Sequence, residues 1–344
     1  MQTTRDDHRN SLDALRLAAA TMVLYSHQFA LTGMSEPLFL GLNTYGGAGV
    51  TLFFLLSGML VYRSWVSDPH LIRFFARRCL RIFPGLVVVV LLSVFFLGPW
   101  VSIHNPQDYF LAGQTYQYLT TAMLWNKGYL PGVFQGNPYV GAVNGSLWTL
   151  PVEFLCYVSV AIVGLMPWAT QNSRIMLLLF LAVIAGPIGE MLFGHRFAPH
   201  FQMLTTFWVG VALAALFSAS QYPSHRRGLF WLCFSLCIIA LANSSDRAWT
   251  QVLMLCFAAS LVGLAFKFDW GARLTGLLGD LSYGVYIYAF PVQQTVVYLG
   301  LGRGWSFEWH LVLSVLATYG LAWLSWHVVE KPALRIKPKQ RVVA

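Results

Sequence analysis

The chain has 344 residues, of which 57% are hydrophobic and 10% charged, and its formal net charge is +9. Soluble proteins average about 25% charged residues, so this composition, with a mean hydropathy of +0.60, excludes an ordinary soluble domain. A nucleic-acid-binding patch is also excluded, because most Lys and Arg residues stand between long apolar segments rather than together on one soluble surface. The composition predicts an integral membrane protein.

Ten apolar segments follow one another along the chain, and a spanning helix needs about 17–25 residues of this kind. They lie near residues 12–32, 46–66, 82–102, 146–168, 175–193, 201–219, 229–243, 249–267, 277–300 and 309–329, the seventh being short. This pattern predicts an all-α fold, a polytopic membrane bundle of about ten transmembrane helices.

The distribution of Lys and Arg predicts the orientation of this bundle. Ten crossings place both termini on one side of the membrane. If that side is cytoplasmic, only four of the 22 basic residues fall outside, namely Lys127, Arg196, Arg247 and Arg303. Cytoplasmic loops usually carry the excess of Lys and Arg, so we expect both termini in the cytoplasm.

The chain is expected to form one membrane domain over residues 1–344, without an appended soluble domain. Its one long outer loop, about residues 103–145, is rich in Tyr, Asn, Gly and Pro and carries only Asp108 and Lys127 as charges. Two interpretations of this loop stay open. It either contacts sugar rings or lies on the lipid headgroups.

Ionisable side chains within apolar helices are costly and indicate a function or a partner. Arg16 and His27 both fall in the first segment, eleven residues apart. At about 100° per residue they share one helix face, about 16 Å apart along the axis. His27 is therefore predicted near the middle of the bilayer as a general base, with Glu153 and Ser57 at a similar depth.

A basic cluster precedes the third segment and contains Arg77, Arg78 and Arg81. Arg78 and Arg81 are three residues apart, so they share a helix face and could both bind phosphate oxygens. The cluster therefore predicts a site for the nucleotide end of an acyl-CoA. The alternative is an anchor on anionic lipid.

Six short motifs, taken in order, resemble those of the membrane acyltransferase family three, which comprises bacterial O-acyltransferases that modify lipopolysaccharide O-antigen, other glycans and lipids. The motifs are Leu12–Ala18 through His27, Gly49–Gly58, Arg78–Arg81, Gly145–Glu153, Leu281–Tyr288 and Val329–Pro332. They extend over essentially the whole chain. Three positions depart from the family pattern: Thr51 and Phe154 stand where acids are common, and Ala289 where many members have a histidine.

This resemblance implies an acyl-CoA donor, most simply acetyl-CoA, and a hydroxyl acceptor on a glycan or lipid-linked glycan such as O-antigen. It also implies a location in the bacterial inner membrane and roles for Arg16, His27, Arg78, Arg81 and Glu153. The expected site residues fall into three groups. Catalysis is assigned to His27, Glu153 and Arg16, the donor site to Arg77, Arg78, Arg81 and Ser57, and substrate contacts to Ser146, Trp148 and Tyr283.

The leading hypothesis is acetyl transfer by direct attack of the acceptor on the thioester, although a covalent relay through His27 also fits the sequence. The alternative is a transporter or flippase that uses Arg16, His27 and Glu153 as a proton or substrate relay. Asp280, near a helix end, is interpreted as a capping or water-facing residue. The five cysteines have no accompanying pattern of ligands, so they are expected to be free thiols and no metal is predicted.

Overall fold

A computed structural model describes residues 7–166, 191–192, 198–219, 256, 258–259, 261 and 279–338. The described residues are mostly helical. The elements along the described chain are α1 (Asp7–Leu31), β1 (Leu38–Phe39), β2 (Asn43–Thr44), α2 (Tyr45–Ser67), α3 (Leu71–Leu92), α4 (Gly98–Val101), α5 (Pro106–Leu111), α6 (Gly113–Gln117), α7 (Thr149–Gly164), α8 (Ala198–Ala219), α9 (Ser282–Gly300), α10 (Phe307–Ser325) and α11 (Lys331–Arg335). A π turn at Ser93–Leu97 joins α3 to α4, and another at Trp326–Glu330 joins α10 to α11.

Four helical stretches in the described part of the chain are long and apolar enough to cross a membrane: Tyr45–Ser67, Leu71–Val101, Gly145–Gly164 and Phe307–Arg335. The predicted helical membrane fold is thereby confirmed. Three further predicted segments coincide with α1, α8 and α9. The segment 229–243 and nearly all of 175–193 and 249–267 lie outside the described residues, so the count of ten and the orientation stay predictions.

The helices α1 and α2 run antiparallel and pack closely through glycines. A Cβ on Gly46 would stand 3.1 Å from Ser26 Cβ, and a Cβ on Gly49 would stand 2.5 Å from the Ala19 carbonyl oxygen. Helix α9 packs on α1, and the Gln293 amide donates a hydrogen bond of 2.8 Å to the Leu24 carbonyl. Helix α1 is therefore held between α2 and α9.

Two ends of the bundle can be defined. The basic end carries Arg16, Arg78 and Arg81, and the hairpin end carries the short antiparallel pair β1 and β2 between α1 and α2. The sequence did not predict this hairpin, because two strands of two residues leave no alternating pattern. Thr44 ends the hairpin and caps α2, its hydroxyl accepting a 3.0 Å hydrogen bond from the Gly47 N–H.

The segment between α4 and α7 packs into the hairpin end rather than forming an open loop. The Tyr109 side chain is buried and donates to the Val94 carbonyl at 2.9 Å. Asn144 donates to the Ile287 carbonyl at 2.8 Å, and the Asn137 amide donates to the Gln294 side chain at 2.7 Å. The bond from Tyr109 fixes the segment to the first π turn, and the other two fix it to α9.

The contact between α2 and α8 depends on two glycines and supports a test of the packing. A Cβ on Gly58 would collide with the Phe207 carbonyl, and one on Gly210 with the Leu55 carbonyl. Small residues allow such close approach of helices in membranes. We expect Gly58→Ala and Gly210→Ala each to destabilise the bundle by about 1–3 kcal/mol, measured as a lower thermal midpoint in detergent.

Gly320→Ala is the matched control for that test, because a Cβ on Gly320 of α10 meets nothing within 4 Å among the described residues. Alanine also favours helix over glycine, so this variant is expected to melt at the wild-type temperature or slightly above it. Equal melting of all three variants would contradict the close α2–α8 contact.

Candidate active site

A cavity of about 590 Å³, including its open mouth, lies among α1, α2, α3, α7 and α9. The walls combine aromatic and aliphatic groups with a few polar ones. The lining residues are Arg16, Val50, Phe53, Phe54, Ser57, Arg81, Ile82, Thr149, Leu150, Glu153, Tyr283 and Tyr286. The structure therefore brings together five side chains that the sequence singled out: those of Arg16, Ser57, Arg81, Glu153 and Tyr283.

The cationic wall of this cavity is organised by Asp280. Its Oδ2 accepts a 2.6 Å hydrogen bond from Arg81 Nη2 and lies 3.6 Å from Arg16 Nη1. Arg81 also stands 5.7 Å from the centre of the Tyr283 ring, whose hydroxyl donates to the Ile82 carbonyl at 2.6 Å. Asp280, interpreted from the sequence as a cap or water-facing residue, is thus an ion-pair partner of both lining arginines.

The opposite wall carries a carboxylate. Glu153 Oε1 accepts hydrogen bonds from the Ser57 hydroxyl, at 3.2 Å, and from the Tyr157 hydroxyl. Arg78 approaches the Tyr157 ring at 5.8 Å and donates to the Ser64 hydroxyl at 3.1 Å. Arg78 therefore lies behind the Glu153 wall, while Glu153 and Ser57 face the space.

Arg77 occupies a different position from the other two predicted donor arginines. It is 6% exposed and donates a 2.7 Å hydrogen bond to Asp68, which also pairs with Arg73. Hydrogen bonds from Arg73 and then Arg77 hold the pKa of the Asp68 carboxyl well below its usual range. These two ion pairs of Asp68 therefore stabilise the α2–α3 corner at neutral pH. Their contribution to folding stability is lost only as the pH falls through that lowered pKa.

His27 lies toward the hairpin end of α1, four residues before the helix ends. Its ring contacts Phe290 of α9 edge-on, with centroids 5.4 Å apart, and its Nδ1 is buried with no hydrogen-bond partner among the described residues. The cavity wall reaches Val50, about one helical turn short of the level of Gly46 and His27. His27 therefore stands just beyond the cavity, on the hairpin side.

A carboxylate that the sequence did not single out acts on His27. Glu36, in the connection between α1 and β1, interacts electrostatically with His27 and accepts a hydrogen bond from Ser26. Glu153, assigned to catalysis from the sequence, accepts hydrogen bonds from Ser57 and Tyr157.

The predicted substrate contacts are divided between two places. Tyr283 lines the cavity. Ser146 is buried one layer behind it, its carbonyl accepting a 3.0 Å hydrogen bond from the Tyr286 hydroxyl. The Trp148 ring packs against His200 of α8, with centroids 4.9 Å apart.

A helical membrane bundle whose interior cavity presents two arginines and a carboxylate is suited to an anionic, partly apolar substrate. The profile of the acyltransferase domain family matches residues 9–327. The chain belongs to this family, the membrane acyltransferase family three, as the six motifs predicted. The protein is therefore an acyltransferase.

Individual relatives align over nearly their full lengths. An O-acetyl transferase of Shigella phage Sf6 is 31% identical, over 96% of this chain and 98% of the phage protein. Nodulation protein 10 of Rhizobium leguminosarum bv. viciae is 28% identical, over 96% and 94% of the two chains. The exopolysaccharide production protein ExoZ of Rhizobium meliloti is 26% identical, over 88% and 93%.

Proposed function

We propose that this protein is a membrane O-acetyltransferase that moves acetyl from cytoplasmic acetyl-CoA to a hydroxyl of a surface glycan. The observation that carries the proposal is the pairing of Arg16 and Arg81 in one wall of a cavity whose other wall holds Ser57 and Glu153. Arginine forks bind phosphate oxygens in bidentate geometry, and acyl-CoA brings such phosphates. The likeness to the phage O-acetyl transferase supports acetyl as the group.

In the proposed complex the basic end faces the cytoplasm, and both termini lie on that side of the inner membrane of a bacterium. The CoA phosphates bind Arg16 and Arg81, and the thioester arm extends along α1 toward His27, about 16 Å away. Arg78, behind Tyr157, adds positive potential to the same end. Residues 1–344 act as one domain.

The proposed chemistry is acyl transfer at the hairpin side of the cavity. His27 removes the proton from the acceptor hydroxyl while the oxygen attacks the thioester carbonyl. The tetrahedral intermediate then collapses and its C–S bond breaks. The CoA thiolate that is released takes up a proton and leaves as CoA. Glu36 orients the imidazole electrostatically, and Glu153 accepts a hydrogen bond from the bound substrate.

The acceptor is proposed to reach His27 from the hairpin end. The segment between α4 and α7 exposes aromatic rings there, including Trp125 (68% exposed) and Tyr129 (64% exposed). Aromatic faces of this kind suit the apolar faces of sugar rings. A polysaccharide acceptor such as O-antigen also agrees with the exopolysaccharide production protein among the relatives.

Acetyl transfer by purified protein tests this proposal against the transporter hypothesis. The protein, reconstituted in vesicles, is incubated with acetyl-CoA labelled in the acetyl group, with and without a lipid-linked glycan acceptor. We expect CoA release that depends on the acceptor and label that becomes esterified to it. Labelled acetyl-CoA that crosses the vesicles unchanged would reject acetyl transfer from acetyl-CoA and favour transport.

A further inference from the structure

Asp280 performs two structural tasks with its two carboxylate oxygens. Oδ1 accepts hydrogen bonds from the Ser282 hydroxyl, at 2.6 Å, and from the Ser282 N–H, at 3.3 Å, at the start of α9. Oδ2 contacts Arg81 of α3 at 2.6 Å and Arg16 of α1 at 3.6 Å. A single side chain therefore joins three helices at the cationic wall of the cavity.

The turn that carries Asp280 is fixed by its backbone. Gly279 has φ +84°, a region that favours glycine. A Cβ at this position would also collide with the indole of Trp326, the first residue of the second π turn. The Leu281 N–H donates to the Gly279 carbonyl at 3.1 Å. Asp280 is consequently held in place from both sides and stays beside the arginines.

The two arginines need such an anchor because their like charges meet in a partly buried space. Arg16 is 21% exposed and Arg81 is 14% exposed. Each guanidinium has five N–H donors, so contact with Asp280 leaves donors for another anion. Glu330, whose Oε1 accepts from Ser325 at 2.9 Å, also acts electrostatically on Arg81. Asp13 also acts electrostatically on Arg81, and Asp280 contacts both arginines directly.

We propose that Asp280 is a positioning residue that sets the spacing of Arg16 and Arg81 for the phosphates of the acyl-CoA donor. This inference rests on the proposed function, in which those arginines bind the phosphates. Asp280 acts through the two guanidiniums and does not itself bind the donor. Removing its charge takes away the carboxylate that contacts both guanidiniums, so they move apart and fit the phosphates less well.

Asp280→Asn tests the proposal, because it keeps the shape of the side chain and its ability to cap α9 while removing the charge. We expect the KM for acetyl-CoA to rise about tenfold or more, the loss of about one charge-assisted hydrogen bond. We expect kcat at saturating donor to stay within about threefold. Acetyl-pantetheine has the thioester arm but no phosphate, so wild type and variant should use it equally poorly.

Two further variants keep the test decisive. Ser282→Ala removes one hydrogen bond to Asp280 and is expected to raise the KM for acetyl-CoA in the same direction by a smaller factor. Asp68→Asn is the matched control, since Asp68 also pairs with two arginines but lies outside the cavity lining of the described residues. It is expected to lower thermal stability and leave the KM unchanged.

The outcomes separate this inference from the function on which it rests. Equal use of acetyl-CoA and acetyl-pantetheine by the wild-type protein would reject phosphate binding at the arginines, and with it both proposals. Wild-type preference for acetyl-CoA together with an unchanged or lowered KM in Asp280→Asn would overturn the positioning role alone.

Discussion

His27→Ala is expected to lower the rate of acetyl transfer by about 10²–10⁴, the usual contribution of a general base. Donor binding should change little, because His27 lies about 16 Å along α1 from Arg16 and outside the cationic wall. The loss should therefore appear in kcat at saturating acetyl-CoA, measured by the acceptor-dependent release of CoA.

The control for this prediction is His327→Ala. His327 is half-buried, its Nδ1 lies 2.9 Å from the Trp323 carbonyl, and it is not among the described residues that line the cavity. Its replacement is expected to leave transfer at the wild-type rate. A His27→Ala protein that inserts normally and transfers acetyl at the wild-type rate would reject His27 as the base.

Arg81→Lys is expected to raise the KM for acetyl-CoA about tenfold while the protein remains folded. Lysine keeps a positive charge beside Asp280 but loses the planar fork that grips two phosphate oxygens at once. Arg81→Ala should add a lower thermal midpoint, because it leaves Asp280 with Arg16 alone at 3.6 Å. Donor titrations of both variants and their melting curves measure the two effects separately.

Arg73→Lys is the matched control, on the same helix and also paired with an aspartate. Arg73 contacts Asp68 at 2.5 Å, is 25% exposed and stands outside the cavity lining of the described residues. We expect its donor KM to match wild type. An equal rise in KM for Arg73→Lys and Arg81→Lys would indicate a general effect of charge and contradict a specific phosphate contact at Arg81.

Much of the fold could be predicted from the lengths of the apolar segments. The prediction and the structure differ where a helix begins or ends in polar residues. The third segment was predicted to begin near residue 82, whereas α3 begins at Leu71. Its first turns carry Arg73, Arg77 and Arg81, which lower the local hydropathy although the backbone is helical. Asp68 forms ion pairs with two of these arginines from outside the helix, and a hydropathy pattern cannot reveal such a contact.

Individual residues of the site could be predicted from the sequence, but the contacts between their side chains could not. Ionisable residues in apolar helices drew attention to Arg16 and Glu153, and the basic cluster before the third segment drew attention to Arg81. All three line the cavity. The packing of separate helices decides which carboxylate contacts which basic side chain. The sequence therefore could not assign Asp280 to the arginines or Glu36 to His27. One local signal was available: Tyr157 stands four residues after Glu153, on the same face of α7, and its hydroxyl bonds to it.

A structure of the protein with CoA bound tests the central claim most directly. We expect the phosphates within hydrogen-bonding distance of Arg16 and Arg81, and the thiol between Val50 and Tyr286 on the side that faces His27. Phosphates held by other residues, with the cavity between α1, α2, α3, α7 and α9 left empty, would contradict the account.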